Sequence, residues 1–171
     1  MDFRKINSQV ERKQYPLPTI NEMMQVVQGF EFASVLDLNM GYLSIFLDEE
    51  SRKLLTIIMP FDCFEYCQLP MGIMPATNIF QARIVSTFQG MREKRPHPYI
   101  DDIFHSKGGN FEEHLTILDE ILRRLKKDGW QVNAIKSLFA SHKVEFLGFE
   151  MNRNGFNPTQ KRVTAILKLS A

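Results

Sequence analysis

Three aspartates stand in runs where charge is out of place: Asp37 in SVLDLNMGY, and Asp101 with Asp102 in RPHPYIDDIFHSK. A carboxylate in an apolar setting is costly unless it is neutralised, paired or bound to a cation. If Asp37 closes one strand and the 101–102 pair sits at the turn of a neighbouring hairpin, their oxygens converge on hard divalent cations such as Mg2+, leaving room for substrate phosphates. Two such ions serve in-line phosphoryl transfer, one activating the attacking hydroxyl and the other steadying the departing pyrophosphate. The residue types leave a second reading open, because aspartate also favours turns for its local backbone hydrogen bonds.

The elements that must position these acids follow from the pattern around them. LPTINEMMQVVQGF carries Thr19 and Glu22 in capping-box spacing, then Met23, Met24, Val26 and Val27 before Gly29, which predicts a short helix. The segment from Phe32 to Leu69 is rich in β-branched and aromatic residues, with turn signals at Asp48 to Ser51 and near Asp62, and reads as three tightly connected strands. From Ala76 to Gly90, Ile79, Phe80, Ile84, Val85 and Phe88 recur at helical spacing. A longer helix is expected between the Asn110 cap and Gly129, with acids at its start, bases at its end and a buried stripe of Phe111, Leu115, Leu118, Leu122 and Leu125. WQVNAIKSLF and KVEFLGFEMN read as short strands, NRNGFNP as a turn, and a last helix begins near Pro158. Strands and helices interleave without a βαβ repeat, so the expected class is α+β, an antiparallel sheet with helices packed on one face.

Composition sets outer bounds. At 171 residues, 44% hydrophobic and 24% charged, the chain is ordinary globular material for one domain. No apolar run approaches the roughly 20 residues that cross a bilayer, and the N-terminus lacks the apolar centre of a secretory signal, so an intracellular location, cytoplasmic or nuclear, is expected. Cys63 and Cys67 have no nearby histidine pair and make a poor zinc site. A formal charge of +1 neither demands nor excludes a polyanionic partner.

PYIDDIF resembles the Tyr-x-Asp-Asp box of reverse transcriptases, and it does not stand alone. DFRKIN, YPLPTINEM, SVLDLNMGY, FEYCQLPMGI, IFQ, GNFEEHLTILDEIL, WQVNAIKSLF and VEFLGFEMNRNGFNPTQKRVTAI are similar, in order, to successive blocks of the polymerase domain of Ty3/gypsy-type LTR retrotransposons. The resemblance implies a right-handed polymerase palm with partial fingers over residues 1–171, and an RNA-directed DNA polymerase that adds deoxynucleotides to a primer 3′-hydroxyl. Asp37, Asp101 and Asp102 would hold two Mg2+ ions, or Mn2+, with the carbonyl of Leu38 completing the nucleotide-side ion. Tyr42 would lie under the deoxyribose, where a core tyrosine is the other reading. Leu69, Pro70, Met71 and Gly72 would support the incoming nucleotide and template. Phe146, Leu147 and Gly148 resemble the primer grip, and Lys136 stands where such enzymes carry a lysine able to protonate pyrophosphate. The implied partners are an RNA or DNA template with its primer and a dNTP.

The sequence departs from the family pattern in ways that bear on activity. It begins just after the basic finger residues that grip a triphosphate, which Arg4 would not replace. Pro96 and Pro98 interrupt the strand entering the acidic pair, which should therefore be an edge or broken, as if its supporting role had relaxed. DDIFHSKGGN is one residue short after the turn, which inverts a strand unless a bulge absorbs it. Thumb, connection and ribonuclease H portions are also missing. The basic clusters Arg92, Lys94, Arg95 and Arg123, Arg124, Lys126, Lys127 are candidates for phosphate contact or solvated helix faces. Three functions remain open: the polymerase domain; a catalytically inactive remnant acting as a scaffold or subunit, with a protein partner on the face left open by missing fingers and thumb; and a nucleic-acid binding module without catalysis.

Overall fold

The computed structural model describes residues 2–11, 14–26, 29–106 and 109–169. In chain order the elements are α1 (Arg4–Asn7), α2 (Ile20–Val26), β1 (Ala33–Asp37), α3 (Glu49–Leu54), β2 (Thr56–Ile58), β3 (Cys63–Glu65), α4 (Ala76–Thr87), β4 (His97–Tyr99), β5 (Asp102–His105), α5 (Phe111–Lys127), β6 (Leu138–Ser141), β7 (Lys143–Phe146), β8 (Phe149–Asn152), β9 (Gly155–Pro158) and α6 (Gln160–Leu169). The fold is α+β and its strand pairings are antiparallel, as expected.

The central sheet runs β4-β5-β1-β6. Side chains alternate across a strand, so β1 and β5 serve two cores. Leu36 and Ile103 meet Phe80, Ile84 and Phe88 of α4 and Ile117, Ile121 and Leu125 of α5 on one face. Ala33 and Phe104 meet Met23 and Met24 of α2 and Val144, Phe146 and Met151 of a second sheet, β7-β8-β9, on the other. The two long helices thus share one face, while the opposite face is covered by a sheet and a short helix.

Local chemistry explains most boundaries. Thr19 and Glu22 close the expected capping box on α2, with Thr19 N–H donating to Glu22 Oε2 at 2.7 Å and Glu22 N–H to Thr19 Oγ1 at 3.3 Å; Val27 lies outside the described residues. The segment after β1 differs from a plain run of strands. Asp48 caps α3 by accepting from Ser51 N–H at 2.8 Å, with Glu49 and Glu50 in the first turn and Arg52 and Lys53 in the last. The supposed turn is a helix start carrying the ordinary charge order. WQVNAIK contributes only a bridge from Val132 to Leu38, and the strand begins at Leu138. NRNGFNP is not a bare turn, because Gly155–Pro158 forms β9 against β8.

The buried stripe of α5 is rotated from the leucine pattern. His114, Ile117, Leu118, Ile121 and Leu125 face inward, whereas Phe111 is 46% and Leu115 39% exposed. Ile121→Ala is expected to cost about 2–5 kcal/mol and Leu115→Ser to stay within roughly 0.5 kcal/mol; urea unfolding of both variants measures the contrast.

Prolines 96 and 98 fall where their chemistry allows. β4 is an edge strand, paired only with β5 through His97↔Phe104, Pro98↔Ile103 and Tyr99↔Asp102. The shortening after the turn does not invert β5, which keeps regular register with β1 from Asp37↔Asp102 to Ser34↔His105. Lys107 and Gly108 lie outside the described residues.

Candidate active site

The end of β1 and the β4–β5 turn form one acidic centre. Asp37 stands opposite Asp102 in the ladder, so both project from the same face of the sheet. Leu38 N–H donates to the carbonyl of Asp101 at 2.9 Å, tying the turn to the end of β1. A loop from Gln131 to Ser137 closes the third side. Asp37 N–H donates to Ser137 Oγ at 3.0 Å, and the Asp37 carbonyl accepts Asn133 N–H at 2.8 Å. Asn133 winds this loop by accepting Ile135 and Lys136 N–H on Oδ1 at 3.2 and 3.3 Å. The loop leaves Lys136 Nζ 3.9 Å from Asp37 Oδ1.

Tyr99 and Asp102 flank a turn of two residues, Ile100 and Asp101. Ile100 has φ 52°, a left-handed conformation that β-branched residues rarely adopt. The Gln81 side chain of α4 holds the entry to this turn, donating from Nε2 to Pro98 O and accepting Ile100 N–H on Oε1, both at 2.8 Å. Gly41 permits the approach from the other side, since a Cβ there would lie 2.6 Å from Phe80 Cε2 and 3.4 Å from Asp101 Oδ1.

The electrostatics of the centre ask for a positive charge. Asp101 Oδ1 is buried and accepts no hydrogen bond. Burial first, and the charge of Asp37 second, push the Asp101 carboxyl above the usual carboxylate range. Asp102 is raised by burial, then by Asp37 and Asp101. Lys136 opposes both shifts. No three His, Cys, Asp or Glu side chains among the described residues are gathered into a preformed metal cage. Asp37 and Asp101 offer hard oxygen donors of the kind Mg2+ takes alongside water and phosphate oxygens.

A cleft of about 450 Å3 opens at this centre, lined by Asp37, Leu38, Tyr42, Met71, Asp101 and Lys136 among others. Asp102 is not among its lining residues. Tyr42 is both cleft wall and packed residue: its ring stacks on Phe80 at 4.6 Å between centroids. Leu69 and Pro70 are buried and do not line the cleft, and Gly72 has φ 98°. Asn7, in DFRKIN, fixes this stretch by donating to Gly72 O at 2.9 Å and accepting Met74 N–H at 2.8 Å. Phe146, Leu147 and Gly148 do not line the cleft. They form the β7–β8 turn, with Leu147 and Gly148 both at positive φ, and Phe146 packs on the same sheet face from which Asp37 projects. Arg162 braces that turn, 4.5 Å over the Phe149 ring.

The basic clusters are partly committed elsewhere. Arg123 pairs with Asp119 at 2.8 Å and Arg124 with Glu120 at 2.7 Å along α5, and Arg95 donates to Val85 O at 3.2 Å. Cys63 and Cys67 are exposed free thiols. No helix among the described residues is long and apolar enough to cross a membrane.

Lys136→Met is expected to move the acid limb of cation binding to higher pH, because the lysine supplies the charge that lowers both Asp101 and Asp102. Mn2+ binding followed from pH 5 to 8 measures the shift. An unmoved limb would mean that solvent screens this exposed lysine.

An antiparallel sheet is thus backed by two helices on one face, with acids from two separated segments meeting at its end. The reverse transcriptase (RNA-dependent DNA polymerase) family matches residues 1–151, and the chain belongs to that family. It is 30% identical over 166 residues to the retrovirus-related Pol polyprotein from transposon gypsy of Drosophila melanogaster. It is likewise 30% identical over 169 residues to the transposon Tf2-3 polyprotein of Schizosaccharomyces pombe. These alignments take in 97% and 98% of the chain but only 16% and 12% of the polyproteins. Among solved structures, the foamy viral protease-reverse transcriptase matches the fold. In complex with an RNA/DNA hybrid it gives a TM-score of 0.83 at 22% identity, over 99% of this chain and 23% of that one. A form with double-stranded DNA gives 0.88 at 23% identity, over 97% and 29%.

Proposed function

We propose that the chain supplies the palm and part of the fingers of a reverse transcriptase, in which a primer 3′-hydroxyl attacks the α-phosphate of a deoxynucleotide on an RNA or DNA template. The observation that carries this reading is the buried, unpartnered Asp101 Oδ1 at a cleft shared with Asp37. Two Mg2+ ions, or Mn2+, would supply activation of the hydroxyl and neutralisation of the pyrophosphate. Asp37 and Asp101 would hold them from the cleft wall, with the Leu38 carbonyl completing the nucleotide-side ion and Asp102, opposite Asp37 in the ladder, as the third acid. Tyr42 would seat the sugar on the Phe80-backed wall, and Met71 with Gly72 would meet the base pair from the opposite side. Lys136 would place a cation by the departing phosphates. The family match and the nucleic-acid complexes of the foamy viral protein support a primer–template partner.

A second reading, a palm kept as a scaffold or subunit, is favoured by one observation. The β2–β3 hairpin exposes Ile58 at 81% and Phe61 at 77%, surface that is ordinarily covered. Primer extension separates the two. Mg2+- or Mn2+-dependent products from a primed template support the polymerase, and their absence, with the chain folded, supports the scaffold.

A further inference from the structure

The turn that carries Asp101 adopts a conformation its own sequence resists. Ile100, the first of its two central residues, has φ 52°, where the turn chemistry of a two-residue hairpin asks for glycine. In such a hairpin the flanking pair, Tyr99 with Asp102, exchanges ladder bonds, and the next pair, Pro98 with Ile103, turns its backbone groups outward. Positions 96 and 98 alternate along the same free edge, so the donors that the two prolines lack would have faced away from β5. What Pro98 still offers is an outward carbonyl.

Gln81 uses it. The side chain is 1% exposed, its Nε2 donates to Pro98 O, and its Oε1 accepts Ile100 N–H. Its neighbours on α4, Phe80 and Ile84, are fully buried, so the incoming limb of the turn, on both sides of Tyr99, is tied to a packed helix. We infer that Gln81 is the positioning residue of the acidic turn: its amide holds Ile100 left-handed and so sets the Asp101 carboxylate at the cleft. The inference rests on reading that carboxylate as a cation holder. It also changes the meaning of the prolines. They are not a decayed strand but an edge whose outward carbonyl is consumed by a buried amide.

Mn2+ binding by the whole chain, followed by water proton relaxation, together with hydrogen exchange at the Ile100 amide, tests this. Gln81→Met, which removes both bonds at similar length, is expected to bind Mn2+ roughly 10-fold more weakly than wild type and to exchange Ile100 faster. Adding Ile100→Gly should recover most of the lost affinity, because glycine enters the left-handed region freely. Should Gln81→Met fail to fold, Gln81→Glu, which keeps the acceptor and loses the donor, takes its place with a smaller expected loss. Wild-type affinity in the Gln81 variant, or no recovery on adding Ile100→Gly, would overturn the inference. If wild type itself binds no Mn2+, the cation-holding reading fails instead. In that event faster Ile100 exchange in Gln81→Met would uphold the positioning of the turn, and unchanged exchange would overturn it.

Discussion

Asp101→Asn is expected to abolish metal-dependent primer extension, by at least about 100-fold, while raising the melting temperature in the absence of divalent cations. The two effects share a cause. Burial and the charge of Asp37 raise the Asp101 carboxyl above its unfolded value, so the folded state binds a proton more tightly than the unfolded chain does. Stability therefore falls as pH rises through that interval, and at neutral pH the folded state carries the cost of the buried anion. Asparagine removes the charge and most of the cost. The stabilisation should be largest near pH 7 and shrink as pH drops below the ordinary carboxylate range, where both states are protonated. Mg2+ should raise the melting temperature of wild type and not of Asp101→Asn. Thermal unfolding at several pH values, with and without Mg2+, reads all of this; a destabilised asparagine variant at pH 7 would mean that the carboxylate has a structural partner.

Gly41→Ala is expected to cost about 1–3 kcal/mol through overpacking. The added methyl would meet Phe80 Cε2 and Cζ at 2.6 and 2.7 Å. That ring has little room to yield, because it is fully buried, stacked on Tyr42, and set edge-on to Trp130 at 5.3 Å. The methyl also approaches Asp101 Oδ1 at 3.4 Å, so activity should fall by more than the lost stability accounts for. Adding Phe80→Leu should return part of the stability. Denaturant unfolding of the single and double variants checks this, and an alanine variant as stable as wild type would show that the wall is soft.

The acidic centre is legible through local motifs: Asp37 stands in SVLDLNMGY and Asp101–Asp102 in PYIDDIF, and although an aspartate pair alone also reads as a turn, the ordered blocks resembling reverse transcriptases single these acids out. The prolines announced an edge strand for the same reason. What was illegible depends on distant contact. Gln81 sits in a helical run with no mark of its role until the turn whose entry it holds is folded against it. Gly41 is one glycine among nine, and only Phe80 makes it necessary. Asn133 and Ser137 organise the Lys136 loop through ordinary side chains, in a segment whose pattern reads as a strand. The α5 stripe is out of phase with the leucine pattern because His114 and Ile121, both fully buried, carry the inward face. The start of α3 reads as a turn from Asp48 alone, although Asp48, two glutamates and two basic residues together spell out a capped helix.

In the proposed function, Asp37 and Asp101 together hold a divalent cation at the end of the sheet. Anomalous diffraction from crystals of the chain soaked in Mn2+ tests it most directly. A peak within coordination distance of both carboxylates is the predicted result. Peaks confined to other surfaces, with the cleft vacant at saturating Mn2+, would contradict it.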